Sequence, residues 1–474
     1  MSHSRRKFLQ GLGATALGAG SFATLSSALG GFQQAQAADV SGYKALVCIF
    51  LFGGMDSHDM LIPFDPASYD SYADIRQTLL AQYKSGDPAL SRERDKLLPI
   101  APVNGDGFGG RQFALAPELR NLHSMFEAGN AAIIGNVGPL VKPISRSGWQ
   151  SRSVATPARL FSHNDQVASW MANKPEGAKY GWGGRFCDAA KASGGNAVPE
   201  FTSLSTMTNQ LFSTGEQTNP YQISTAGRTE IRMAMEFSDT DAEQAIIDHF
   251  RAVGYQTDNL IQQDLINIAE DSMDLNAMFN DAREALVPLA TQFPDNQLGQ
   301  QLKAVAETVA IRNTLLNSRQ VFLVAMDGFD THSGQAFKLP RLMRELDAGI
   351  AAFYSALEEV GAARDVVTFT ASDFGRTLAV NGDGTDHGWG SHHFVVGGAV
   401  EGRTIYGDVP PPEFDHEQDA GHGRLIPTTS VEEFAEPLGR WFGLGTAELE
   451  GVLPNLANFR NNTSSQALKS LLVS

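Results

Sequence analysis

The stretch Ala45-Leu46-Val47-Cys48-Ile49-Phe50-Leu51-Phe52, running into Gly53-Gly54-Met55-Asp56-Ser57-His58-Asp59, decides the fold. An unbroken apolar run stopped by paired glycines is the pattern of a strand covered on both faces, as in a parallel sheet. Working outward, residues 131–134, 320–326, 366–370 and 394–396 read as four further strands. Leu119, Leu122, Met125 and Phe126 carry helical spacing over 117–128, and a helix over about 339–360 joins two of the strands. This alternation predicts an α/β fold, a doubly wound and mostly parallel sheet. Residues 255–318 differ: long helical periodicity, broken near Pro288 and Pro294, predicts a helical insertion packed on the sheet. No internal repeat is visible.

The chain opens on Ser4-Arg5-Arg6-Lys7-Phe8-Leu9, a paired arginine ahead of a mild Gly-, Ala- and Ser-rich apolar stretch that closes on Ala35-Gln36-Ala37. Those signals in that order predict a twin-arginine (Tat) export signal over residues 1–37, with the Tat translocase as a transient partner and a periplasmic or secreted destination. Residues 38–474 are then one α/β domain. The stretch is too weakly apolar for a transmembrane helix, and no later run is long enough for a stable membrane span. Formal charge is −17 for the whole chain and becomes −20 without residues 1–37, which hold three cations and no acid. That acidity argues against nucleic acid as a partner, because phosphate binding needs clustered Lys and Arg. Cys48 and Cys187 make no disulfide framework, and Cys48, inside an apolar strand, reads as a buried thiol.

Polar chemistry gathers just beyond the strands. Asp56, Ser57 and His58 follow the first, Asp327-Gly328-Phe329-Asp330-Thr331-His332 follows residues 320–326, and Ser372-Asp373-Phe374-Gly375-Arg376 follows 366–370, with Asp386-His387-Gly388 shortly after. Open α/β sheets place ligand sites at this carboxyl edge, where loops converge and helix N-termini point inward.

These same motifs, with Leu160-Phe161-Ser162-His163-Asn164-Asp165-Gln166, Gly181-Trp182-Gly183-Gly184-Arg185 and Gly423-Arg424-Leu425-Ile426-Pro427, resemble the family called domain of unknown function 1501 over nearly all of residues 38–474. Its members look like distant relatives of alkaline phosphatases and sulfatases, which hold one or two divalent metals with Asp and His beside a Ser or Thr nucleophile. The resemblance implies that Asp56 is the aspartate after the first strand, that Asp330 and His332 are a metal-binding pair at a spacing of two where four is usual, and that His387 adds a histidine. At the second site the usual Asp-His becomes Asp373-Phe374, and phenylalanine cannot ligate. One divalent ion, Zn²⁺, Mn²⁺ or Mg²⁺, or none, is therefore expected rather than two. Ser162 precedes a helix as the superfamily's nucleophile does.

Each residue also has a structural role open to it. Asp330, His332 and Asp56 can bond backbone N–H groups in turns, and His387 can be a hydrogen-bonded loop histidine oriented by Asp386. Ser162 with Asp165 reads as a helix N-cap. Arg376 and Arg185 can fork onto a sulfate or phosphate, or sit in ion pairs. His392-His393 opens a strand, so alternation predicts one ring in and one out. Trp149, Trp170, Trp182 and Trp389 can stack on sugars or fill the core. Two functions follow: a metal-dependent hydrolase of phosphate or sulfate esters, or a non-catalytic protein of the same fold that binds a polysaccharide or an envelope partner.

Overall fold

Strand β1 (Lys44–Leu51) sends Ala45, Val47, Ile49 and Leu51 to one face of a sheet and Leu46, Cys48 and Phe50 to the other, and all seven are fully buried. Strict alternation into two apolar cores is what an unbroken hydrophobic run accomplishes in a covered sheet. The protein is described from a computed structural model at residues 38–208, 211–227 and 259–473 and at positions 245, 248, 249 and 252. The expected export signal, residues 1–37, lies outside the described residues.

The main sheet continues with β2 (Ala131–Gly138), β3 (Ser203–Ser205), β4 (Tyr221–Gln222), β5 (Arg319–Met326), β6 (Val366–Ser372), β7 (Ser391–Val396), β8 (Ile405–Gly407) and β9 (Thr429–Ser430). Its order is β8-β2-β7-β6-β1-β5-β3-β4, with β9 also paired to β2. β1 lies between β5 and β6, parallel to both, and Leu51 is in register with Met326 and with Ser372. The three strands therefore finish level, and the loops after them emerge at one edge.

The architecture is mixed α/β with a large, mostly parallel central sheet, and one strand departs from the doubly wound pattern. β7 runs antiparallel to both β2 and β6. The reason lies in its connection: the chain leaves β6 through a hairpin (Arg376–Asn381 with Gly384–His387) at the carboxyl edge and no helix carries it back, so the next strand must return. β7 sits inside the sheet, so His392 and His393 are both buried, where alternation on a half-exposed strand predicted one outside.

Helices cover both faces: α1 (Pro66–Ile75), α2 (His163–Ala172), α3 (Trp182–Ala192), α4 (Leu260–Glu284), α5 (Gln297–Ala310), α6 (Gln335–Glu359) and α7 (Val431–Phe442). α6 buries Leu339, Leu342, Met343, Leu346, Ile350, Phe353 and Leu357, a stripe at three- and four-residue spacing. α7 starts on a capping box, Ser430 with Glu433, and stops on Gly443 at φ 118°. α4 and α5 occupy the stretch read as a helical insertion, and the break between them spans Pro288 and Pro294. No helix among the described residues is long and apolar enough to cross a membrane. Cys48 and Cys187 are buried free thiols, and Trp170, Trp182 and Trp389 are core residues.

Candidate metal centre

The loop after β1 organises the carboxyl edge. Gly53 takes φ 111°, and a Cβ there would lie 2.2 Å from the Asp330 backbone nitrogen; Gly54 takes φ 92°, and its Cβ would meet the Phe374 ring at 2.5 Å. Only glycine lets the three loops close on one another at these two positions. The Gly53 N–H donates to both Asp373 carboxylate oxygens at 3.2 Å, and the Gly53 carbonyl accepts from Arg376 Nη1 at 3.0 Å.

Around Asp330 three imidazoles converge. His332 Nε2 and His387 Nε2 lie 3.2 and 3.4 Å from Asp330 Oδ1, and 2.8 Å from one another. His163 Nε2 stands 3.7 Å from Asp330 Oδ2. Ligand atoms of His163, Asp330 and His387 all lie within 4.8 Å of one another. The rings pack closely, His163 edge-on to His387 with centroids 4.4 Å apart and His332 tilted against His387 at 4.6 Å, and Phe374 closes the back of the cluster.

The opposite nitrogen of each ring faces an acceptor. His387 Nδ1–H donates to the Phe161 carbonyl at 2.8 Å, His163 Nδ1–H to Asp373 Oδ2 at 2.6 Å, and His332 Nδ1 faces Asp386 Oδ1 at 3.4 Å. A carbonyl cannot donate, so His387 carries its proton on Nδ1 and presents a lone pair at Nε2. Three Nδ1 atoms against acceptors and three Nε2 atoms around one carboxylate is the arrangement that outer-shell partners impose on metal-binding histidines. The donor set fits a cation: the two imidazoles and one carboxylate of His163, His387 and Asp330 come within 4.8 Å of one another with His332 beside them, and such ligands suit Zn²⁺ first, with Mn²⁺ or Mg²⁺ poorer matches.

The electrostatics favour an ionised Asp330 and a neutral His387 but a protonated His163. Burial raises the Asp330 pKa, but the hydrogen bond and charge of Arg376, with the nearby histidines, outweigh it and hold the carboxyl below its ordinary value. The hydrogen bond to Asp373 raises His163 above the ordinary imidazole value, whereas burial lowers His387.

The sequence candidates thus separate. Asp330, His332 and His387 come together. Asp373 stands one step behind, holding His163. Asp56 is elsewhere: Arg76 grips both its oxygens at 2.8 and 3.1 Å and Gln335 donates to it at 2.6 Å, in a fully buried network that includes Asp59, Tyr72 and Tyr83. Arg376 is fully buried and directs four of its five N–H donors internally, to Thr385 through Nε and Nη2 and to Asp330 and Gly53 through Nη1. It fixes Asp330 instead of forking onto a ligand. Arg185 likewise donates to the Gly451 and Val452 carbonyls. Ser162 occupies the N-cap position of α2, but its Oγ–H donates to Asp165 Oδ2 at 3.0 Å and caps no backbone N–H. His163 is the residue that sequence reasoning passed over; it lies in the quoted motif, where only its neighbour was given a role.

A family profile described as protein of unknown function, DUF1501, matches residues 43–453. The chain belongs to the DUF1501 family. No curated protein matches it. Among solved structures, this DUF1501 chain is similar to Ps i-CgsB in complex with k-i-k-neocarrahexaose, at 11% identity and a TM-score of 0.30 over 88% of this chain and 77% of the other. It is similar to the crystal structure of Ps i-CgsB at 10% identity and a TM-score of 0.31 over the same shares.

Proposed function

We propose that this DUF1501 protein is an exported hydrolase of phosphate or sulfate esters, distantly related to alkaline phosphatases and sulfatases, that holds one divalent metal through His163, Asp330, His332 and His387. The observation that carries the reading is the proton bookkeeping of the cluster. If no cation is bound, the 2.8 Å contact makes His332 donate from Nε2 to the His387 lone pair. That leaves the His332 Nδ1 lone pair facing the Asp386 carboxylate at 3.4 Å. A cation among the Nε2 atoms removes the conflict and lets Nδ1–H face Asp386, as does a second proton on His332 between Asp330 and Asp386. A divalent ion held there supplies Lewis acidity toward an ester oxygen.

The chain's own groups divide the remaining work. Asp373, Asp386 and the Phe161 carbonyl set the three tautomers, and Arg376 holds Asp330 in place. Ser162 is the candidate nucleophile: it adjoins His163 at the start of α2 and already directs its hydroxyl proton at the buried Asp165.

A second reading, a binding protein on the same fold, is favoured by Arg376, which is fully buried with four of its five N–H groups already bonded inside the protein. One experiment separates the two. Protein folded in its native host is assayed for metal and for hydrolysis of aryl phosphate, aryl sulfate and carboxylate esters, beside a Ser162→Ala variant. Turnover that a chelator abolishes, and that Ser162→Ala loses while keeping its metal, supports the hydrolase. Bound metal with no turnover selects the binding protein, and absence of both metal and turnover rejects the metal site and the hydrolase and leaves the binding protein.

A further inference from the structure

Behind the Phe161 carbonyl that fixes His387 lies a second feature. A cleft of about 610 Å³ is walled by residues 149–161, with Trp149 and Phe161 as its aromatic surfaces and Arg152 and Arg159 as its charges. Both aromatic rings are half-buried and both arginines are exposed. Trp149 is anchored by Nε1–H donation to the Ala420 carbonyl at 3.2 Å and by edge contact with Phe161 at 6.2 Å between centroids.

Three non-glycine residues of this short segment hold left-handed backbone: Arg152 at φ 55°, Arg159 at φ 52° and Phe161 at φ 71°. That conformation strains an ordinary residue and persists where surrounding structure imposes it. The two cations are under-used in a strongly acidic chain. Among the described residues the Arg152 guanidinium makes no hydrogen bond or ion pair, its backbone N–H alone bonding the Trp149 carbonyl, and Arg159 reaches Asp165 and Glu176 only at 3.5 and 4.0 Å.

We propose that this cleft binds an anionic saccharide unit, one bearing a sulfate or a carboxylate, with the ring against Trp149 and the anion on Arg152 and Arg159. An aromatic face accepts the C–H side of a sugar ring, and guanidinium groups pair planar or tetrahedral oxyanions. The cleft shares Phe161 with the cluster, so an oligomer seated in it extends toward His387. The binding itself stands apart from the hydrolase reading; only the inference that the saccharide carries the scissile ester rests on it.

The test is titration calorimetry, with tryptophan fluorescence as a second signal, using full-length mature protein. The ligands are maltose, a sulfated maltose and the uronic-acid disaccharide of the same linkage. At least one anionic sugar should bind, and maltose should bind at least about tenfold more weakly. Arg152→Glu with Arg159→Glu should abolish the difference, and Trp149→Phe should weaken all binding, with metal content unchanged in each. Which of the two anions binds assigns the substituent. Equal affinity for maltose, unaltered binding in the double variant, or no binding of either anionic sugar would overturn the proposal. Loss of metal in wild-type protein would instead count against the hydrolase and leave the cleft as it stands.

Discussion

At the scale of single residues, what each side chain does follows from where its second polar atom goes. His163, His332 and His387 share one pattern, with Nδ1 toward an acceptor and Nε2 toward Asp330. Asp373 acts through His163, so Asp373→Asn should leave the fold intact and weaken metal binding about 10- to 100-fold, the usual loss for an outer-shell partner. Competition with a chromophoric chelator measures it, and an unchanged affinity would place Asp373 outside the site. Residue by residue, legibility in the sequence tracked chain proximity. Asp330 and His332 stand two apart in one loop and His387 sits in a conspicuous Asp-His-Gly, so all three could be found. His163 was hidden because Ser162-His163-Asn164-Asp165 reads equally well as a helix start. Asp56 was misleading because its partner, Arg76, ends an unremarkable helix twenty residues on, and nothing in the sequence pairs them.

At the scale of elements, the strands were visible because a strand covered on both faces needs an apolar run, which is unbroken over residues 45–51 of β1 and 321–326 of β5 and is interleaved with buried threonines in β6. The direction of β7 was not, since a short apolar run carries no sign of polarity and only the preceding hairpin sets it. The network between α1 and the loop after β1 is costly to disturb. Arg76 ion-pairs with Asp56 and Asp59, and all three side chains are fully buried. Arg76→Met would strand two buried carboxylates and should cost about 3–5 kcal/mol, read from the urea midpoint. A loss below about 1 kcal/mol would mean that water reaches the carboxylates once the arginine is gone.

The first turn of α7 makes a pH prediction. Burial raises Glu432 from its ordinary 4.5 to about 7, against the lowering effect of hydrogen bonds from Asn455. The folded state therefore keeps a proton that the unfolded chain releases between those values. Its contribution to stability is fullest below pH 4.5, declines as pH rises to about 7, and is flat beyond. Glu432→Gln should remove that decline, so the stability of the variant relative to wild type should rise across the same window. A difference independent of pH would show that Glu432 titrates normally in the fold.

At the scale of the whole molecule, one sheet edge collects the loops after β1, β5 and β6, and the parallel register that levels those strand ends is what makes a site possible there. The twin arginines make a separate claim about where the molecule works. Arg5→Lys with Arg6→Lys should hold the full-length precursor in the cytoplasm, as fractionation and immunoblotting would reveal; normal recovery outside it would reject Tat export. The central claim, that the edge holds one divalent ion, is tested most directly by elemental analysis of protein folded in its native host. The account predicts about one metal per chain in wild type, with His163→Ala and His387→Ala each falling well below that and losing thermal stability, because metal binding adds to folding free energy. His393→Ala, whose ring packs on Trp170 away from the cluster, should keep its metal. Wild-type protein without metal, or the same metal content in all four proteins, would contradict the account.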